Sequence, residues 1–144
     1  TMDAASEEAA INGFVTTLLG RKSDFTLYEP AEWGDMRPAL PLQQALIRYG
    51  PNIRLAKTHK ALNRKLQGGA ADVMKMAMWK LYHWGYLDEV GIPLLTVHDE
   101  LDFDDLGVPQ KMWDEVTHVM EHAVELSVPL LVDCSTGPNW GDAD

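Results

Sequence analysis

Disulfide bonds and membrane spans are both excluded by what this sequence has little of. The 144 residues include a single cysteine, Cys134, so no internal disulfide can form and a reducing compartment is expected. No apolar run approaches the roughly 20 residues that cross a bilayer, and the acidic start at residues 2–8 is unlike a signal peptide. We therefore expect a cytoplasmic chain with no membrane partner, in which Cys134 is a small buried apolar residue.

Acidic side chains are missing from one central segment, although the whole chain is acidic. The formal net charge is −10, from 12 basic and 22 acidic residues. Residues 36–71 contain no Asp or Glu, but they contain seven basic residues, namely Arg37, Arg48, Arg54, Lys57, Lys60, Arg64 and Lys65. Such segregation is typical of a surface that binds a polyanion. A basic helix face that balances acidic neighbours explains the charges equally well, so composition leaves both interpretations open.

The hydrophobic pattern predicts helices and hairpins in alternation. We predict helices at residues 42–49, from Asn52 to a break at Gly68-Gly69, from residue 70 to about 84, and at 109–126. Hairpins are predicted at 14–28 and 92–104, and a last strand at 128–132. Residues 29–41, which include Trp33, are predicted to be irregular. This order predicts an α+β fold in which helices pack on a small antiparallel sheet.

Three ionisable residues, His98, Asp99 and Glu100, lie at the tip of the second predicted hairpin. A carboxylate at a tight turn between two strands is rigidly held and faces solvent, as a ligand for a hard cation should. Mg²⁺ usually binds one or two carboxylates and completes its coordination with water and substrate phosphates. The tip therefore predicts half of a magnesium site, although an ordinary polar turn is the commoner explanation of such a triplet.

Four short motifs follow one another along the chain. Residues 17–21 are Thr-Leu-Leu-Gly-Arg, residues 63–72 are Asn-Arg-Lys-Leu-Gln-Gly-Gly-Ala-Ala-Asp, residues 96–101 are Thr-Val-His-Asp-Glu-Leu, and residues 137–140 are Gly-Pro-Asn-Trp. Their order and approximate spacing resemble those of the family A DNA polymerases, the group of bacterial DNA polymerase I and many phage replicative polymerases. The resemblance implies a C-terminal palm portion at 51–144, preceded at 1–50 by the end of a fingers-like region with a variable insertion at 26–49.

The resemblance assigns catalytic roles to the hairpin tip. Asp99 would be a metal-binding carboxylate in a two-metal site for nucleotidyl transfer, and Glu100 would be a nearby acidic helper and second candidate ligand. His98 would lie against the primer terminus. The implied cofactor is Mg²⁺, the implied substrates are dNTP and a DNA primer–template, and the implied process is DNA replication in a bacterial or phage-infected cell.

The resemblance also assigns DNA contacts to the segment before the tip. Asn63 and Gln67 would reach minor-groove acceptors that all base pairs share, which permits contact without sequence choice. Basic residues would hold phosphates, and positions 57, 60 and 64 would fall within about 60° of one another on a helical wheel. The basic candidates are Arg54, Lys57, Lys60 and Arg64.

Two parts of the family pattern are missing from the sequence. The first palm motif, with its metal-binding Asp, and the fingers helix that grips the triphosphate have no counterpart in the 144 residues. We therefore expect a C-terminal part or subunit of a DNA polymerase, inactive alone and completed by a second polypeptide. The alternative is a non-catalytic DNA-binding or assembly module derived from a polymerase.

The sequence departs from the family motif at position 69, and several other ionisable residues need an interpretation of their own. Gly69 replaces the Thr or Ser of the family motif. The acidic residues after the tip, Asp102, Asp104 and Asp105, could be extra metal ligands, but they are expected to be solvated on an edge strand. A metal-dependent hydrolase is the rival, based on His118, Glu121, His122 and Glu125. The zinc-protease pattern requires Glu directly after the first His, and Val119 occupies that position, so a solvated helix face is the favoured interpretation.

Overall fold

Five α-helices and seven short strands alternate along the part of the chain that the computed structural model describes, which is residues 1–32, 34 and 36–143. Trp33, in the stretch predicted to be irregular, lies outside these residues. The helices are α1 Met2–Asn12, α2 Leu42–Tyr49, α3 Ala61–His83, α4 Tyr86–Val90 and α5 Gln110–Glu121. The strands are β1 Phe14–Thr16, β2 Lys22–Asp24, β3 Leu27–Pro30, β4 Leu40–Pro41, β5 Ile53–Leu55, β6 Leu95–Val97 and β7 Glu100–Asp102.

The chain divides into two compact units, Thr1–Gly69 and Ala70–Asp144. All strand pairs in the described residues are antiparallel, in three sheets with the orders β1-β2, β4-β3-β5 and β6-β7. The predicted α+β class is confirmed, with three small sheets in place of one. The division between Gly69 and Ala70 separates two compact units. The division after residue 50 that the family resemblance implies is a different, functional one, and it stays a prediction. None of the described helices is long and apolar enough to cross a membrane.

The first unit has a core made mostly of small side chains. Ala5, Ala9, Val15, Phe25 and Ala61 are buried together, with Leu55 and Leu62 packed against them. Helix α1 ends where Gly13 adopts a left-handed φ of 75°, a conformation that glycine reaches without a Cβ clash. Helix α2, followed by Gly50, is confirmed. The predicted hairpin at 14–28 forms but is shorter, since β1 pairs with β2, which ends at Asp24. Residues 27–30 instead form β3 in a separate sheet with β4 and β5, so the predicted irregular stretch 29–41 begins and ends in strands.

The two predicted boundaries around the long central helix are wrong. Residues 53–55 form strand β5, paired with β3, so no helix begins after Asn52. A short 3₁₀ turn at Thr58–Lys60 then leads into α3, which runs through Gly68 and Gly69 without a break. Glycine costs a helix only about 1 kcal/mol relative to alanine, which the packing of a 23-residue helix outweighs. Because Lys57 precedes the helix, positions 57, 60 and 64 do not share a helical face.

The close approach of β1–β2 to α3 explains one of the two helical glycines. A Cβ on Gly68 would lie 2.5 Å from Thr17 Cγ2, whereas a Cβ on Gly69 would make an ordinary 3.5 Å contact with Leu18 Cβ. Arg21 Nη2 also donates a hydrogen bond of 2.9 Å to the Gly68 carbonyl. The hairpin therefore requires glycine at position 68 but tolerates a methyl group at position 69.

Two neighbouring substitutions test this contact, because they are expected to change the free energy of unfolding in opposite directions. Gly68→Ala is expected to lower the free energy of unfolding by about 1–2 kcal/mol, because overpacking outweighs the better helix propensity of alanine. Gly69→Ala, the matched control, is expected to raise it by up to about 1 kcal/mol. Urea unfolding followed by circular dichroism measures both. Equal effects of the two substitutions would contradict the packing that we describe.

The second unit has a core of larger side chains. Leu81, Val90, Trp113, Val116 and Val119 are buried together. Helix α5 begins after Pro109, as predicted, but it ends at Glu121 and is shorter than expected. The predicted strand at 128–132 does not form. Proline at position 129 has no N–H to donate to a ladder, and the Val132 N–H donates to Glu121 Oε1 at 3.1 Å instead.

Candidate functional site

The hairpin β6–β7 presents the predicted catalytic residues at its tip. Val97 pairs with Glu100, so His98 and Asp99 form a two-residue turn. Glu100 therefore belongs to β7 and not to the turn itself. The side chains of His98, Asp99 and Glu100 are all exposed. The structure brings these three residues together by chain connectivity and leaves both carboxylates accessible to a cation or a substrate.

The first turn residue has a backbone conformation that L residues rarely adopt. His98 has a φ of 54°, and only one other described residue that is not glycine, Lys57, has a positive φ. Two-residue hairpin turns require a positive φ, which glycine and asparagine supply at little cost. The left-handed conformation costs other residues roughly 1–2 kcal/mol. Backbone strain of this kind is concentrated at functional sites, so the turn is a candidate site on conformational grounds.

The strain at position 98 gives a stability test that is independent of any activity. His98→Val is expected to lower the free energy of unfolding by about 1–2 kcal/mol, because a β-branched residue suits a positive φ poorly. His98→Asn is the matched control, since asparagine tolerates this conformation, and it is expected to be at least as stable as the parent chain. The midpoints of urea unfolding compare the two. If valine and asparagine behave alike, the turn does not have this conformation.

The strand after the tip fixes the hairpin on the core of the second unit. Leu101 and Phe103 pack against the buried cluster, and the ring of Phe103 meets Trp113 edge to face at 5.3 Å between centroids. Side chains alternate along a strand, so Glu100 and Asp102 point to the other face. The hydrophobic anchor therefore positions the carboxylates.

Asp102 differs from what the sequence predicts. Its Oδ2 atom is buried and has no hydrogen-bond partner within the described residues, whereas a solvated edge position was expected. An unpartnered buried carboxylate oxygen is costly, and a nearby cation would satisfy it. Asp99, Glu100 and Asp102 carry oxygen ligands of the kind that Mg²⁺ prefers, but their carboxylates do not form a three-residue metal group among the described residues. The sequence signal that was available is the i, i+2 spacing of Glu100 and Asp102.

The predicted basic residues have different partners in the first unit. Arg54, on β5, forms an ion pair with Glu29 at 3.1 Å. Arg64 Nη1 donates to the Asp24 carbonyl at 2.7 Å, and its guanidinium lies 4.1 Å from the centre of the Phe25 ring. Both arginines therefore make structural contacts within this unit, so that their charge is only partly available to a polyanion.

The polar side chains at the start of α3 remain accessible. Lys57, Lys60, Asn63 and Gln67 are all exposed. Positions 63 and 67 follow position 60 by three and seven residues. The three side chains therefore share one face of the helix and its leading 3₁₀ turn. On the opposite side, Lys65 Nζ binds Glu8 Oε2 at 2.8 Å and ties α3 to α1. The unit thus holds the exposed face in a fixed orientation.

The single cysteine is not where the sequence placed it. Cys134 is exposed, because no strand forms at 128–132 to carry the following residues into a core. Partial desolvation, and then the carboxylates of Asp114 and Asp105, raise the pKa of its thiol. Less thiolate is therefore present at neutral pH than for an ordinary cysteine, which argues against a nucleophilic role.

Comparison with known proteins identifies the family. Residues 1–142 match the protein family described as DNA polymerase family A. The chain belongs to DNA polymerase family A. This polymerase segment is 36% identical to DNA polymerase I of Bacillus subtilis over 149 residues, and 35% identical to DNA polymerase I of Synechocystis over 141 residues. The matches cover 99% and 94% of the segment, but only 14% of each relative.

A solved structure gives the same result in three dimensions. The segment resembles the POL domain of Pol1 from M. smegmatis, determined in complex with DNA primer-template and dNTP, with a TM-score of 0.69 and 27% sequence identity. The likeness covers 99% of the segment and 22% of that chain. The predicted family is therefore confirmed, and the polymerase segment corresponds to a minor part of the proteins it resembles.

Proposed function

We propose that this chain is the C-terminal palm part of a DNA-directed DNA polymerase and contributes to template-directed nucleotidyl transfer in DNA replication. The observation that carries the proposal is the exposed His98-Asp99-Glu100 tip, held on a hydrophobic core in a chain of family A. The proposed location is the cytoplasm of a bacterial or phage-infected cell, and the relatives named above are bacterial.

The hairpin tip supplies the carboxylates of the reaction centre. Asp99 and Glu100 would hold Mg²⁺, which supplies charge neutralisation at the transferring phosphoryl group when bound. His98 would orient the primer terminus. Asp102 Oδ2, without a hydrogen-bond partner among the described residues, adds negative potential on the face shared with Glu100. These groups make up only one side of a two-metal site, since two ions need carboxylates from a further strand.

The exposed face at the start of α3 supplies the DNA contacts. Asn63 and Gln67 would bind minor-groove acceptors of the primer–template, which carry little sequence information. Lys57 and Lys60 would bind phosphates, because they are exposed and lie in the segment without acidic residues. Arg54 and Arg64 would contribute at longer range, since both already have partners within their own unit.

The proposed site is completed by further polypeptide, which would carry the first palm motif and the fingers helix. The chain spans 14% of the length of the first relatives and has no counterpart of the first palm motif or of the fingers helix. Large apolar side chains are strongly exposed in both units, including Ile47 at 88%, Leu106 at 82% and Leu131 at 79%. Such surface is typical of an interface with further polypeptide. A dNTP would bind between this chain and the further polymerase parts.

Salt dependence of primer–template binding tests the DNA surface. In the assembly that contains this chain, replacing Lys57 and Lys60 together by Gln is expected to reduce the slope of log affinity against log salt by about 2, because two phosphate contacts are lost. Lys111→Gln, in the other unit and on an exposed helix face, is the matched control and is expected to leave the slope unchanged. A double variant with the parental slope would contradict the proposed surface.

A further inference from the structure

A cluster of metal-ligating side chains lies at the end of α5. The ligand atoms of His118, Glu121 and His122 all lie within 4.8 Å of one another, and this is the one group of three such residues within the described part of the chain. The rings of His118 and His122 are 4.1 Å apart between centroids. Glu125, the fourth residue of the rival interpretation, is not part of the group.

The backbone already orients one imidazole of this cluster as a ligand. The Nδ1 atom of His122 lies 2.9 Å from the carbonyl oxygen of His118. A carbonyl oxygen can only accept, so this hydrogen bond requires the proton on Nδ1, and the neutral tautomer that makes it offers Nε2 as the ligand atom. Histidine ligands of metals commonly donate their second ring N–H to a carbonyl in this way, which fixes the tautomer and the ring plane.

The carboxylate of the cluster is oriented as well. Glu121 Oε1 accepts a hydrogen bond of 3.1 Å from the Val132 N–H, which leaves Oε2 available. Ligating carboxylates are usually held by such outer hydrogen bonds. Glu121 thereby connects α5 to the segment that was predicted to be a strand. The position of this side chain follows from the chain that packs beside it, which the sequence does not reveal.

We propose that His118, Glu121 and His122 bind one divalent transition ion, such as Zn²⁺. Two imidazoles and one carboxylate form a common three-residue zinc ligand set, with a water molecule as the fourth ligand. A hard ion such as Mg²⁺ is disfavoured, because imidazole suits softer ions. Lys80 Nζ donates a hydrogen bond of 2.8 Å to the His122 carbonyl, which holds the end of the helix that carries the cluster. The bound ion would stabilise the end of α5 without taking part in nucleotidyl transfer.

Zn²⁺ titration in the presence of excess Mg²⁺ tests this site, because Mg²⁺ occupies all-oxygen sites such as the hairpin tip. Isothermal titration calorimetry on the 144-residue chain, or on the assembly that contains it, is expected to give one Zn²⁺ per chain. His118→Ala, His122→Ala and Glu121→Gln are each expected to weaken binding at least about tenfold. His59→Ala, at an exposed histidine outside the cluster, is the matched control and is expected to bind as the parent chain does.

Two further readouts separate a lost ligand from a lost fold. The variants alter exposed or half-exposed side chains, so their far-UV circular dichroism is expected to match that of the parent. Zn²⁺ is expected to raise the Tm of the parent and of His59→Ala, but not that of the three ligand variants, because ligation stabilises only the folded state. Absence of Zn²⁺ binding by the parent, or parental affinity in the ligand variants, would overturn the proposal. These results are independent of polymerase activity.

Discussion

Asp99→Asn is expected to reduce the rate of single-nucleotide incorporation by about 10³-fold or more in the assembly that contains this chain. The substitution keeps the size and shape of the side chain but removes its negative charge, and with it the attraction for Mg²⁺. Asp99 is exposed at the turn, so the fold is expected to be unchanged. The loss is therefore expected in kcat and not in the affinity for the primer–template.

A neighbouring carboxylate provides the control for Asp99. Asp104 is exposed and lies beyond the paired residues of β7, which ends at Asp102. Asp104→Asn removes the same charge from the same segment and is expected to retain the parental rate. Rapid-quench measurement of both variants at saturating dNTP gives the comparison. Equal losses would indicate a general effect of charge and would remove Asp99 from the proposed metal site.

Leu81→Ala is expected to lower the free energy of unfolding by about 2–5 kcal/mol, because it leaves a cavity in a closely packed core. Leu81 is fully buried, at 0% exposure, among Val90, Trp113, Val116 and Val119. The same cluster receives Leu101 and Phe103 from the strand that follows the tip. The loss of packing therefore reaches the strand that carries Glu100, next to the proposed ligand Asp99.

An exposed leucine of the same unit provides the control for Leu81. Leu106 is 82% exposed, so Leu106→Ala is expected to change the free energy of unfolding by no more than about 0.5 kcal/mol. Urea midpoints at constant m value measure the difference. A Leu81→Ala variant as stable as Leu106→Ala would show that Leu81 is not part of a close-packed core.

The hairpin tip was predictable because its signals are local. An apolar run, a turn triplet and a second strand lie within residues 92–104, and the observed register places His98 and Asp99 in the turn. The helices at 42–49 and after Pro109 were likewise predictable, because neighbouring Gly and Pro residues mark their ends. The extended family motifs identified the polymerase family, which the match over residues 1–142 confirms.

Features set by distant residues were not predictable in the same way. Position 68 requires glycine because Thr17 approaches it closely, and α3 continues through it, whereas the local sequence predicts a break. Val132 bonds to Glu121 instead of joining a sheet. The partners of Arg54 and Arg64 lie 25 and 40 residues away, so helical position alone overstates their availability to DNA. Sequence periodicity carries no information on these contacts.

Primer extension tests the central claim most directly. The chain alone, any polypeptide captured with it from its source, and the two together are each incubated with a primed template, Mg²⁺ and four dNTPs. We expect template-directed extension only from the two together, because the chain supplies Asp99 and the partner supplies the missing palm and fingers elements. Extension by the partner alone at the same rate, or no extension by the assembly, would contradict the account and identify the chain as a non-catalytic module.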